Sequence, residues 1–251
     1  MTTISSTPIL LIPARMGSTR LPGKALADIG GEPLVVHSWR RATEAGLGPV
    51  VVAAGEPEIV AAIERVGGQA VLTDPGLPSG SDRIAAALAR IDPERKYDPV
   101  LNLQGDWPLV DPETIRAALD SVQAPGVDIG TLAYPFRTPE DAAKPNFVKA
   151  VVELAPGARR GRALYFSRQP APWGDGPLLH HIGFYAFRRQ ALERFVTLPQ
   201  SALEKREGLE QLRALAHGMR IDVVVVEAEP FGVDTPEDLE AARAHFRKLS
   251  P

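Results

Sequence analysis

The 251-residue chain contains no cysteine. That excludes disulfides, thiol catalysis and cysteine-bound metal, and it fits a reducing compartment. There is no surplus of positive charge: 28 Lys and Arg stand against 31 Asp and Glu, a formal net charge of −3. Non-specific nucleic-acid binding needs a basic surface, so no nucleic-acid partner is expected. Long hydrophobic runs are also missing. The first apolar stretch, Ile9-Leu10-Leu11-Ile12, is too short for a signal peptide or a membrane span, and no basic residue precedes it. The expectation is a cytoplasmic protein without a membrane partner. No internal repeat is present, and the 24 prolines and 22 glycines punctuate short periodic segments rather than forming a low-complexity tract. A composition of 44% hydrophobic and 24% charged residues is that of an ordinary globular protein, long enough for one large or two small domains.

Short apolar runs alternate with helical patterns. Strand-like runs at 9–12, 50–54, 70–72 and 100–103 are separated by helix candidates at 33–45, 57–66 and 82–91. This β-α-β rhythm predicts a mostly parallel sheet with helices on both faces. Right-handed crossovers then put every strand's carboxyl end on one edge, where ligands bind. Beyond residue 128 the rhythm changes. Residues 129–133 and 148–154 are strand-like, 134–147 is polar and broken by proline, and 156–177 is rich in Gly, Pro and Arg. Helices are expected at 189–196, about 202–217 and 236 to about 248, with a strand at 221–227; Thr235 and Pro236 suit the N-cap and first position of the last helix. No linker stands out. The expectation is one compact unit over 1–251, with a sheet core from 1–133 plus 221–251 and a smaller mixed α/β subdomain from 134–220.

Directly after the first strand comes Pro13-Ala14-Arg15-Met16-Gly17-Ser18-Thr19-Arg20-Leu21-Pro22-Gly23-Lys24. It holds two glycines, two hydroxyl residues, two arginines and a lysine, with no acid. Such a loop can wrap a polyphosphate, because glycine lets backbone N–H groups approach the anion and the cations neutralise it. It has neither Walker A nor Gly-x-Gly-x-x-Gly spacing. A basic surface loop is the plainer reading of the same residues. Asp106, in Gln104-Gly105-Asp106, lies past another strand end and so shares an edge with Arg15.

The loop resembles the signature of sugar-activating cytidylyltransferases, most closely the 3-deoxy-manno-octulosonate (Kdo) cytidylyltransferases. Further segments of that pattern follow in order: Ser79-Gly80-Ser81-Asp82-Arg83, Asn102-Leu103-Gln104-Gly105-Asp106, Ala163-Leu164-Tyr165-Phe166-Ser167-Arg168, His181-Ile182-Gly183-Phe184-Tyr185, Leu209-Glu210-Gln211-Leu212-Arg213 and Gly232-Val233-Asp234-Thr235-Pro236-Glu237-Asp238-Leu239. The resemblance spans nearly the whole chain. It implies a nucleotide-diphospho-sugar transferase-like, Rossmann-like doubly wound fold, with 134–220 serving sugar binding and dimerisation. It also implies transfer of CMP from CTP to Kdo, with release of pyrophosphate, for lipopolysaccharide synthesis by a homodimer.

By the same resemblance Asp106 and Asp234 hold Mg²⁺; two carboxylates plus phosphate oxygens and water are chemically enough for that ion. Arg15, Arg20 and Lys24 bind the triphosphate. Ser79, Ser81, Asp82 and Arg83 recognise cytosine and ribose, and Gln104 reaches either substrate. Arg168 offers a bidentate fork to the sugar carboxylate, while His181, Tyr185, Glu210 and Gln211 serve the hydroxyls. Taken singly, each has a plainer role: Asp106 a turn former, Asp234 a helix N-terminal carboxylate, Ser79 or Ser81 a cap, His181 a satisfied histidine, Tyr185 a half-buried ring and Glu210 a solvated helix residue. The pair His180-His181 is not read as a metal site, since adjacent strand residues point to opposite faces. Two departures from the family pattern stand out: Trp107 replaces the usual glutamate after Gln-Gly-Asp, and Pro78 replaces a polar residue before the Ser-Gly turn. These leave open the same chemistry on another acid sugar, such as 8-amino-Kdo or a sialic-type acid, or nucleotide binding without turnover.

Overall fold

Three consecutive side chains, Leu10, Leu11 and Ile12, have no solvent exposure, as a strand covered on both faces requires. The computed structural model describes residues 7–18, 20–227 and 231–249. In chain order its strands and helices are β1 (Thr7–Ala14), β2 (Asp28–Ile29), β3 (Glu32–Pro33), α1 (Leu34–Glu44), β4 (Val50–Ala54), α2 (Pro57–Arg65), β5 (Gln69–Leu72), α3 (Gly80–Ile91), β6 (Tyr97–Asn102), α4 (Pro112–Ser121), β7 (Ile129–Pro135), α5 (Pro139–Ala143), β8 (Lys149–Glu153), β9 (Arg160–Ser167), β10 (Leu179–Phe187), α6 (Arg189–Thr197), α7 (Ala202–Glu207), α8 (Gln211–Ala216), β11 (Ile221–Val225) and α9 (Pro236–Leu249). The chain divides into two compact units, residues 1–116 with 230–251, and residues 117–229.

In the first unit the strands run β5-β4-β1-β6, all parallel. Leu10 of β1 lies opposite Val50 of β4 and Leu101 of β6. The helices bury one stripe each, at i, i+3 and i+4: Ile59, Ala62 and Ile63 on α2, and Ile84, Ala87 and Leu88 on α3. A second apolar cluster joins Ile29, Leu34, Val233, Leu239 and Ala242, with Phe246 packed against it. It fixes α9 and the segment leading into it. That helix is capped reciprocally: Asp238 N donates to Thr235 Oγ1 at 3.2 Å, and Thr235 N donates to Asp238 Oδ2 at 2.9 Å. The expected Thr235-Pro236 start is therefore observed.

In the second unit the order is β10-β7-β11-β9-β8, and β10 also pairs β8 where His180 meets Lys149. Only β7 and β11 run parallel; β10–β7, β11–β9 and β8–β9 are antiparallel. The fold is mixed α/β.

Three expectations differ from what is observed. The boundary falls earlier, so residues 117–133 and 221–229 go with the second unit, because β7 and β11 take their partners there. The helix expected at 202–217 is two helices, α7 and α8, since Gly208 ends α7 with φ +64°. The Gly, Pro and Arg-rich stretch contains a full strand, β9, with Arg160 and Arg162 exposed at its start and Ala163, Phe166 and Ser167 buried. Among the described residues no helix is long and apolar enough to cross a membrane.

Candidate active site

The first unit holds a cleft of about 310 Å³ at the carboxyl ends of β1 and β6, lined by Arg15, Gly17, Arg20, Lys24, Gln104, Asp106 and Asp234 among others. The loop after β1 curls on itself: Ser18 N and Gly23 N both donate to Met16 O, at 2.9 and 3.1 Å. Gly23 has φ +72° and immediately precedes Lys24. Thr19, part of the same motif, lies outside the described residues. Arg15 and Arg20 are exposed.

Lys24 is the centre of the cleft. Its Nζ donates to Asp106 Oδ2 at 2.7 Å and to Asp234 Oδ1 at 3.0 Å, while Arg20 Nη2 lies 3.2 Å from Asp234 Oδ2. The two aspartates come from elements 128 positions apart, yet their backbones are tied, since Val233 N donates to Asp106 O at 2.9 Å. Burial works against the Lys24 ammonium, but the two carboxylates outweigh it and raise its pKa. Burial pushes the Asp106 carboxyl up, and Lys24 only partly offsets this. Asp106 Oδ1 is buried and has no hydrogen-bond partner among the described residues.

The Ser79–Arg83 turn opens α3. Ser79 Oγ accepts from Asp82 N at 3.2 Å and donates to Asp82 Oδ2 at 2.7 Å, so Ser79 is a helix cap. Ser81 is buried. Arg83 is buried and donates to Thr73 Oγ1 at 2.6 Å and to the carbonyls of Asp74 and Pro75; it supports the loop beside the cleft from within. Gln104 donates from Nε2 to Asn102 Oδ1 at 3.1 Å. The Gln104 amide lies against the start of α3, where a Cβ on Gly80 would be 3.4 Å from it and 3.2 Å from the Pro13 ring. Trp107 lies against Gly232, where a Cβ would meet its ring at 3.4 Å. The ring therefore braces the segment that carries Asp234.

The residues expected at the sugar lie in the second unit. His181 is buried, 2.9 Å from Thr131 Oγ1, and packs on Phe166 and Tyr185 with ring centroids 4.8 and 5.6 Å away. Thr131 has one hydroxyl proton, which goes to a carbonyl (Phe184 O, 2.6 Å), so His181 Nε2–H is the donor to Thr131. Burial brings the His181 pKa down to about 3 and, with Glu210 adding to the effect, raises that of Tyr185. Gln211 is buried at the first turn of α8, next to Glu210. His180 points elsewhere: it bonds Tyr134 Oη and packs with Phe136 and Phe147.

Arg168 is heavily engaged. Its Nε donates to Glu207 O at 2.6 Å, Nη1 to Pro145 O at 2.9 Å and Nη2 to Gly208 O at 3.4 Å. Its backbone N donates to Glu207 Oε2 at 2.9 Å, and its carbonyl accepts from the buried Lys149 at 2.7 Å. The fork thus braces three chain segments; a sugar carboxylate would have to share it with those carbonyls.

Sequence reading missed several supports. Glu56, just past β4 on the same strand edge, accepts from Met16 N at 2.9 Å and so anchors the basic loop. Its position past a strand end was the available signal, the same one that picks out Arg15 and Asp106. Ser38 Oγ donates to Gly105 O at 3.0 Å and holds the Asp106 turn. Lys149 and Glu207 carry no sequence signal of their own.

Cations on a curled loop and two aspartates on separate elements, gathered where parallel strands end, suit nucleotidyl transfer. A family model described as Cytidylyltransferase matches residues 9–221. A 3-deoxy-manno-octulosonate cytidylyltransferase of Paramagnetospirillum magneticum is 59% identical over 238 residues, 95% of this chain and 97% of that protein. One from Rhodospirillum centenum is 57% identical over 244 residues, 97% and 95% of the two chains. A solved structure of CMP:2-keto-3-deoxy-manno-octonic acid synthetase complexed with CTP is 37% identical, with a TM-score of 0.88 over 97% of this chain and 100% of that one. A 4-diphosphocytidyl-2C-methyl-D-erythritol synthase from Anaerococcus prevotii, 13% identical with a TM-score of 0.63 over 96% of this chain and 99% of that one, shares the fold. The chain belongs to the 3-deoxy-manno-octulosonate cytidylyltransferase family, whose members are nucleotidyltransferases.

Proposed function

We propose that this enzyme transfers CMP from CTP to 3-deoxy-D-manno-octulosonate, releasing pyrophosphate. The observation that carries the reading is the convergence of Lys24 and Arg20 on Asp106 and Asp234 in one cleft. Identity of 59% to a relative of that name supports the choice of sugar. The finer fold assignment, a doubly wound nucleotide-diphospho-sugar transferase-like sheet, is part of this reading and draws on the parallel order β5-β4-β1-β6.

The residues present fit Mg²⁺. Two carboxylate oxygens converge on one point, and Asp106 keeps a second, buried oxygen that has no donor among the described residues. Hard oxygen donors of this kind, completed by phosphates and water, are what that ion takes. Bound there, Mg²⁺ would neutralise charge on the reacting phosphates and align them.

Arg15, Arg20 and Lys24 bind the triphosphate and stabilise the negative charge that develops on pyrophosphate. Gln104, which lines the cleft, takes cytosine and ribose together with Ser79, Ser81 and Asp82 at the start of α3, and Arg83 supports that turn. Tyr185, Glu210 and Gln211 serve the sugar hydroxyls, His181 fixes the Tyr185 ring, and Arg168 contributes its fork to the carboxylate. The anomeric hydroxyl oxygen attacks the α-phosphorus in line, the bond from that phosphorus to the bridging oxygen of pyrophosphate breaks, and the hydroxyl proton passes to solvent. No covalent enzyme intermediate is needed. We place the enzyme in the cytoplasm as a homodimer, supplying an activated acid sugar to lipopolysaccharide synthesis, with no nucleic-acid or membrane partner.

Incubation with Mg²⁺, CTP and a panel of acid sugars tests the reading. Pyrophosphate release is expected to require both CTP and Kdo. Preference for 8-amino-Kdo or a sialic-type acid would reassign the substrate, and CTP binding without turnover would make the chain a nucleotide-binding protein.

A further inference from the structure

We infer that the Lys24 ammonium and a divalent cation are alternative occupants of a single position between Asp106 and Asp234, so that Lys24 must withdraw before the two carboxylates can hold metal together. The inference rests on the metal assignment above and concerns what this lysine does to it.

One nitrogen sits 2.7 Å from Asp106 Oδ2 and 3.0 Å from Asp234 Oδ1, on a side chain that is only 16% exposed. A Mg²⁺ ion held by both carboxylates would need the space between those oxygens that the ammonium fills, and closer to each of them, since its bonds to oxygen are about 2.0–2.1 Å long. The two cations cannot share it, because they would overlap and repel. The charge balance agrees. Lys24 already compensates the inner carboxylate oxygens, and Arg20 takes the outer oxygen of Asp234 at 3.2 Å. An incoming ion therefore meets a pair that is occupied and largely neutralised.

A triphosphate resolves the competition. Lysine carries three donors on a flexible four-carbon stem and can follow an anion to a new position. Phosphate oxygens entering the cleft give the ammonium another partner, and its departure bares both carboxylates. The buried Asp106 Oδ1 then adds a ligand atom that Lys24 does not use. Nucleotide and metal each favour the arrangement that accepts the other, and such coupling is reciprocal. The site takes up metal together with CTP and resists free ion without it.

The test is equilibrium binding of Mn²⁺, followed by the electron paramagnetic resonance of free ion, to the full chain without nucleotide. If the ammonium occupies the pair in about nine molecules of ten, Lys24→Met tightens Mn²⁺ binding about tenfold. Arg20→Met removes the same charge from an exposed, non-bridging position, and its effect is expected to stay below about threefold. No tightening in Lys24→Met, or equal tightening in both variants, overturns the inference. A measurement on the unaltered protein covers the case in which Lys24→Met does not fold. Reductive methylation in Mg²⁺ sufficient to displace Mn²⁺ is expected to label Lys24 faster than without the ion, relative to the exposed Lys96; unchanged labelling overturns the inference. Turnover is scored separately. CMP transfer by the unaltered protein with a Mn²⁺ affinity that ignores Lys24 refutes the competition and leaves the proposed function standing, whereas tightened Mn²⁺ binding in Lys24→Met with no CMP transfer by the unaltered protein does the reverse.

Discussion

Arg168 has the fork expected of a carboxylate partner, yet that fork reaches three backbone carbonyls, those of Glu207, Pro145 and Gly208. Only the bond to Glu207 O is part-buried, the other two being exposed, and losing such a bond costs about 0.5–1.5 kcal/mol. Arg168→Ala is therefore expected to lower the unfolding free energy by about that amount as well as to raise the Michaelis constant for the sugar. Urea unfolding and sugar kinetics on the same preparation separate the two. Full stability with impaired sugar kinetics would make Arg168 a pure ligand residue. The cleft of the first unit was more legible at this scale. Arg15 and Asp106 fall just past strands, where topology alone brings them to one edge, and Arg20 and Lys24 belong to the loop that follows Arg15. Glu56 was legible only as an acid just past a strand end; that it anchors the basic loop depends on one hydrogen bond spanning 40 positions, to Met16.

Among the elements, β7 and β10 are joined by a polar contact inside the core, Thr131 with His181. Burial holds the His181 imidazole at about 3, against an ordinary value of 6.5. Above that ordinary value the group is neutral folded or unfolded, and its contribution to stability is fully present. As pH falls below it, the unfolded chain takes up a proton that the folded protein refuses, and stability drains at up to about 1.4 kcal/mol per pH unit. His180, held at about 4, acts in the same direction. Removing one of the two, by His181→Phe, is expected to flatten the fall in unfolding free energy between pH 6 and 4.5. Parallel profiles for the two proteins would show that His181 is not held neutral. Strands such as β1 and β4 were readable because burial on both faces demands unbroken apolar runs. β9 was not, since Arg160 and Arg162 stand at its start and its buried residues, Ala163, Phe166 and Ser167, break the period of two where the pairing with β8 shifts register. The expected long helix failed at Gly208, whose effect as a terminator depends on a positive φ that periodicity does not register.

For the whole molecule, the chain leaves the first unit at residue 116 and returns at 230, so Asp234 reaches Asp106 only after the entire second unit has been made. The β-α-β rhythm anticipated the first unit well, since each parallel crossover needs a helix. It placed the boundary late, because 129–133 reads as one more strand of the same series although β7 takes β10 and β11 as neighbours. In the proposed transfer a sugar oxygen displaces pyrophosphate from CTP. Kdo equilibrated in H₂¹⁸O carries label at its anomeric oxygen and can be offered to the enzyme with Mg²⁺ and CTP, with the products then weighed by mass spectrometry. The expected products are CMP-Kdo that retains one ¹⁸O in the bridge between sugar and phosphorus, and pyrophosphate that carries none. Unlabelled CMP-Kdo, or CMP and pyrophosphate without any CMP-sugar, would contradict that transfer.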